Sequence, residues 1–195
     1  MLSKPASDFP RRSAAAPPVR LVEWGAALLA GVALSLTLWH GLLQDKGLTG
    51  GDTWPYFFPQ KALLAEGYAS GQTPLWHDLT GLGYPLLAES QAGVFYPSNQ
   101  ILYRLLDPAR AYHTSILLHY TLAFVFCWRF VRSQQLSFWT ALLAALIYVY
   151  GWFPARISLE WSIIGGVWLP LTLWQTHEFL NRPAGWRFAL LATCL

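Results

Sequence analysis

The sequence predicts an all-α fold: a polytopic bundle of transmembrane helices with a long external first loop that carries short amphipathic helices. Three observations predict it. Of the 195 residues, 54% are hydrophobic and only 12% are charged, against about 25% charged in soluble globular domains. The mean hydropathy is +0.33, and the missing charge is gathered into uncharged runs long enough to cross a bilayer, which takes about 20 helical residues. Basic residues, finally, fall at alternate ends of those runs, as the positive-inside rule requires of a multi-pass chain.

Each element follows in order. Residues 1–20 are rich in Pro, Ala and Ser and carry Lys4, Arg11, Arg12 and Arg20. That composition predicts a disordered cytoplasmic arm. The first apolar run, 21–43, has no small-residue cleavage site and reads as a retained helix rather than a removed signal, with Trp24 and Trp39 as interfacial aromatics. A loop over 44–110 follows. Further helices are expected over 112–131, 136–153 and 161–180, and a last one starts near Trp186. Its run to Leu195 is only about two turns, so the chain reads as the N-terminal part of a longer membrane protein.

Arg129 and Arg132 flank one short turn, Arg182 and Arg187 another, and the N-terminal arm is basic. All three belong on the cytoplasmic side. The long loop carries Lys46, Lys61, Arg104 and Arg110 against Asp45, Asp52, Glu66, Asp78, Glu89 and Asp107. Its acidic excess lets it face outward, as does the shorter loop holding Arg156 and Glu160. The net charge of +3 comes with no basic stripe, so nucleic acid is excluded as a partner. Cys127 and Cys194 both lie in apolar runs and read as small packing residues, not as a disulfide or a metal site.

The first loop holds the candidate chemistry. Pro59 suits the first turn of a helix over 60–69, and Pro97 opens a second with Ile101, Leu102, Leu105 and Leu106 on one face. Asp52 follows the Gly50-Gly51 pair beside Trp54, Tyr56 and Phe57. Partly desolvated there it would make a general base, and alternatively it caps a helix end. Asp78 beside His77 suggests a dyad or a metal pair, though no further ligand lies at a metal-like spacing, or else a structural or capping role, and it joins the substrate-binding candidates. Glu89 and Gln91 are placed to hydrogen-bond sugar hydroxyls, with Trp76 and Tyr96 as stacking aromatics, or else form a packed polar turn. Arg156 suits a lipid phosphate or an interfacial anchor, and Glu160 lies four residues on. Acidic loop residues can hold Mg²⁺ through one or two carboxylates, but no pairing here compels a metal, and the cofactor is left open.

The ordered set Gly51-Asp52, Pro59, Gly71-Gln72-Thr73-Pro74-Leu75-Trp76, Gly81 to Pro85, and Ala88 through Gln91 to Phe95-Tyr96-Pro97 resembles the first external loop of YfhO-type bacterial membrane proteins. Those are similar to GT-C glycosyltransferases. The resemblance implies a many-helix enzyme of the bacterial inner or plasma membrane, N-terminus cytoplasmic. Its donor would be a polyprenyl-phosphate-linked sugar, drawn from among the membrane lipids. Its acceptor would be an envelope glycan, polymer or protein. Asp52 matches the family's loop acid, the expected catalytic base, and Arg156 would steady the departing lipid phosphate. His77-Asp78 departs from the Asn-Pro that often follows the matching Trp in that family. Two other classes are kept beside this one, a lipid or glycan transporter and a non-enzymatic assembly protein.

Overall fold

The computed structural model describes residues 19–44, 51–78, 81–152 and 160–193. Seven α-helices run through them: α1 (Leu21–Leu38), α2 (Phe58–Ala69), α3 (Pro97–Leu105), α4 (Pro108–Ser133), α5 (Phe138–Trp152), α6 (Glu160–Asn181) and α7 (Gly185–Ala192). A 3₁₀ turn, His40–Gln44, extends α1, and a π turn, Thr53–Phe57, leads into α2. No strand occurs among the described residues. The nearest approach to one is an antiparallel bridge between His77 and Tyr84.

Two helices, α1 and α4, are long and apolar enough to cross a membrane, and α5 is a shorter apolar helix. Helix α1 ends five residues before its expected end at 43, and the chain tightens into the 3₁₀ turn there. Helix α4 starts four residues before its expected start. Asp107 accepts the Arg110 backbone N–H at 3.1 Å and Pro108 occupies the first turn, a cap and a preset φ that together fix the start. At α5, Ser137 Oγ accepts the Thr140 N–H at 3.1 Å.

Helix α4 is the axis of the molecule and packs against α1, α5 and α6. Its apolar window is 56% buried, that of α1 only 17%, so α4 is the interior helix and α1 lies at the edge. The reason lies in the facing side chains. Helix α1 buries Ala27, Gly31 and Ser35, one small residue per turn on a single face, which lets helix backbones approach closely. A Cβ on Gly31 would stand 3.3 Å from the Phe124 ring and 3.5 Å from the Thr121 carbonyl. Helix α5 does the same with Ala141, Ala145 and Val149, all fully buried. Large residues of α4 fill the space between: Tyr112, Ile116, Tyr120, Phe124 and Trp128.

Polar bonds join the same helices. The Ser35 and Tyr150 hydroxyls meet at 3.1 Å, and Thr121 Oγ1 lies 3.3 Å from Ser35 Oγ. In α6, Pro170 has no N–H to give the carbonyl four residues back. That carbonyl is Gly166, and Tyr148 of α5 donates to it at 2.7 Å. A neighbouring side chain thus satisfies the group that proline releases, as an apolar environment demands.

The long loop is folded. Leu64, Ala65 and Tyr68 of α2 pack with Leu86, Ala92, Val94, Tyr103 and Ala111 into a second apolar core, seated on the start of α4. No ladder pairs the carbonyls of 91–94, so side chains of α2 and α3 take them. Lys61 Nζ donates to Gln91 O at 3.1 Å and Ala92 O at 2.9 Å. Asn99 Nδ2 donates to Gly93 O at 3.0 Å, and Tyr68 and Gln100 both donate to Val94 O at 2.5 Å. Lys61 counts as a loop surface charge in the sequence, yet it is 0% exposed. Gly93 has φ +66°, and a Cβ there would fall 2.7 Å from Asn99 Nδ2, so this crossing admits only glycine.

Candidate functional site

An open concavity of about 430 Å³ lies at the start of the loop, lined by Asp52, Pro55, Tyr56, Phe57 and Gln91. The local chain explains its shape. Gly51 takes φ +55°, and the Asp52 carbonyl then accepts both the Tyr56 and Phe57 N–H groups at 3.0 Å. This wide turn lays Pro55 and Tyr56 beside Asp52. Gln91 reaches the same wall because Lys61 holds its carbonyl from below. The Asp52 side chain makes no capping hydrogen bond, so of its two sequence readings the capping one is not realised. It is solvent-exposed rather than partly desolvated.

Glu89 stands next to this concavity through two of its walls. Its Oε2 accepts the Tyr84 hydroxyl at 2.8 Å and its Oε1 accepts the Gln91 backbone N–H at 3.1 Å. Those bonds, led by Tyr84 and joined by Tyr56, hold the Glu89 carboxyl below the usual carboxylate range against the opposing effect of burial. Burial first, then Glu89 and Tyr56, pushes the Tyr84 phenol up. Glu89 is therefore a fixed anion that orients Tyr56 and Gln91. The uncapped Asp52 carboxylate is the one left open on the concavity.

Trp76 is 56% exposed. Its indole lies against Gly83, which has φ +107° and no room for a Cβ beneath the ring. His77 exchanges both backbone hydrogen bonds with Tyr84 at 2.8 Å, and the exposed Asp78 begins the turn after it. Trp76 and Asp78 thus flank the His77–Tyr84 bridge, which reaches the concavity through Tyr84. They do not line it. Arg156 lies outside the described residues, and the side chain of Glu160 does too.

Tyr96 takes a different direction, into the bundle. Its hydroxyl lies 2.7 Å from His119 Nε2 and accepts the Trp168 indole N–H at 3.1 Å. His119 Nδ1 is 2.6 Å from the Ser115 carbonyl. A carbonyl only accepts, so Nδ1 carries the proton, and a neutral ring then accepts from Tyr96 at Nε2. The rings of Tyr96 and His119 are stacked, centroids 5.6 Å apart. This strap ties the loop to α4 and α6, and sequence reasoning gave His119 no site. One signal could have found it: an ionisable residue inside an apolar span faces the protein interior and has a partner there.

Among the described residues, no three His, Cys, Asp or Glu side chains converge to hold a metal ion. Fold and site together define an all-helical chain with two helices able to cross a membrane, bearing a folded acidic and aromatic loop. No protein-family model, curated protein or solved structure matches the chain.

Proposed function

We propose that the protein is a membrane glycosyltransferase that moves a sugar from a polyprenyl-phosphate donor to an envelope glycan, polymer or protein at the external face. The observation that carries this reading is the uncapped, exposed Asp52 carboxylate on a concavity lined by Tyr56 and Gln91, in a loop seated on membrane-length helices. The resemblance of the same loop to that of YfhO-type proteins supports it. Asp52 takes the proton from an acceptor hydroxyl. The alkoxide-like oxygen attacks the anomeric carbon, and the bond to the lipid phosphate breaks with inversion. Tyr56 and Gln91 supply hydrogen bonds to sugar hydroxyls, and Glu89 keeps both in place.

The transport reading has less support. Transporters use broken helices whose freed backbone groups bind cargo. Here the carbonyl released at Pro170 is taken by Tyr148.

The test is sugar transfer from a radiolabelled polyprenyl-phosphate-sugar panel, using membranes that express the full-length gene. Asp52→Asn is expected to reduce transfer at least 100-fold, within the range of about 10²–10⁴ for a general base, with normal membrane levels. Undiminished transfer would remove Asp52 from the mechanism, and transfer from no donor would remove the enzyme class.

A further inference from the structure

The opposite end of the bundle, where α4 and α6 finish and α1 and α7 begin, holds Arg20, Arg129, Arg132, Arg182 and Arg187 against Glu23 and Glu178. Three of these arginines, Arg129, Arg132 and Arg187, pair with the two glutamates. Arg132 is fully engaged. Its Nη2 and Nε reach Glu23 Oε2 at 2.8 and 3.2 Å, and its Nη1 donates to the Leu136 carbonyl at 2.5 Å. Glu178, by contrast, is shared. Arg129 Nη2 stands 3.3 Å from its Oε1, Arg187 Nη1 3.5 Å from its Oε2, and the Trp174 indole N–H 3.4 Å from Oε1. Charge-assisted bonds normally close to about 2.7–2.9 Å. One carboxylate is therefore stretched across two guanidiniums, and within this group of three one positive charge is not offset.

Within the group, the unmet donor belongs to Arg129. Its guanidinium lies over the Trp174 ring, 4.4 Å from the centroid, and its Nη1 is a buried donor with no hydrogen-bond partner. Arg187 makes its remaining bonds to the carbonyls of Glu178 and Arg182. The side chains of Arg129 and Arg187 keep 14% and 15% of their surface exposed, on the two sides of Glu178. A buried donor without a partner calls for an explanation, and basic recesses between helices at this end of a membrane protein suit anionic head groups.

We propose that Arg129 and Arg187 form a phosphate-binding site at this end of the bundle, completed by the head-group phosphate of an anionic lipid. A phosphate meets the exposed edges of the two guanidiniums and brings the charge that Glu178 alone does not provide, and a turn of the Arg129 side chain gives its Nη1 an acceptor there. The guanidinium matches phosphate geometry through paired N–H groups, which an ammonium does not. The site is independent of the Asp52 concavity and of any transfer reaction there.

The test uses the full chain in neutral detergent, with bound lipid counted by native mass spectrometry during titration with phosphatidylglycerol or phosphatidylcholine. Phosphatidylglycerol is expected to bind at least fivefold more tightly. Arg129→Gln should abolish that preference. Arg129→Lys, which keeps the charge and the fold but not the paired donors, should reduce it several-fold, and Arg110→Gln at the far end should leave it intact. Inorganic phosphate is the second probe. Competition at millimolar concentration would assign the same site to a free phosphate group, and no competition would assign it to the lipid. Equal binding of the two lipids, or a preference unchanged in both Arg129 variants, would overturn the proposal.

Discussion

At the scale of single residues, the loop is organised by a few polar side chains that replace a sheet. Lys61, Tyr68, Asn99 and Gln100 take the carbonyls of 91–94, and Glu89 takes the Tyr84 hydroxyl and the Gln91 N–H. The Glu89 carboxyl has its pKa lowered from an ordinary 4.5. A group depressed on folding stabilises the folded state above its unfolded pKa. That contribution is lost as pH falls through the lower folded value. The segment around Gly81–Ser90 should therefore become more open to pepsin as pH drops below about 4.5. Glu89→Gln should already be open there and show no such pH step. Equal nicking of both proteins at every pH would refute the role given to Glu89. This pairing was half legible: Glu89 and Gln91 stand out as polar groups among aromatics, but Tyr84 as their partner depends on the His77–Tyr84 bridge. Tyr96 and His119 lie 23 residues apart, and no local period joins them. Burial of Lys61 was not legible either, because its two carbonyl partners come from a distant stretch of backbone.

At the scale of elements, the helices were the readable part. Long uncharged runs place α1, α4 and α6, and Pro59 and Pro97 mark two helix starts through local chemistry alone, whereas the start at Asp107-Pro108 was read four residues late. Which helix is central was harder to read. The stripe Ala27, Gly31, Ser35 and its counterpart Ala141, Ala145, Val149 look unremarkable among leucines, yet they decide how closely α1 and α5 approach α4. At Pro170 the exchange of one hydrogen bond can be tested directly. Tyr148→Phe keeps the ring and removes the donor to Gly166 O. The expected loss is about 1 kcal/mol, between the average and the largest values for side-chain hydrogen bonds in membranes. Thermal unfolding in detergent reads it as a lowered Tm, and an unchanged Tm would show that the Gly166 carbonyl finds another partner.

At the scale of the whole molecule, two apolar cores share one helix. The bundle core runs along α4, and the loop core closes over its first turn at Ala111. The candidate site and the arginine-rich end thus sit at opposite ends of one rigid axis. The positive-inside rule leads us to propose that the loop faces outside and the arginines inside. In a variant with Cys127→Ala and Cys194→Ala, a cysteine introduced by Ser90→Cys should react with an impermeant maleimide in intact cells. One introduced by Asn181→Cys should react only after permeabilisation. The reverse pattern would invert the topology and move the proposed chemistry to the cytoplasm.

The bond from Tyr148 to Gly166 also bears on the order of assembly. Synthesis runs from N- to C-terminus, so Tyr148 leaves the ribosome 18 residues before the carbonyl it serves and further still before Pro170. The donor is already in the growing chain when the proline-bearing helix arrives. The carbonyl freed in α6 need never stand unpaired, and its cost is met by a partner made earlier on the same chain.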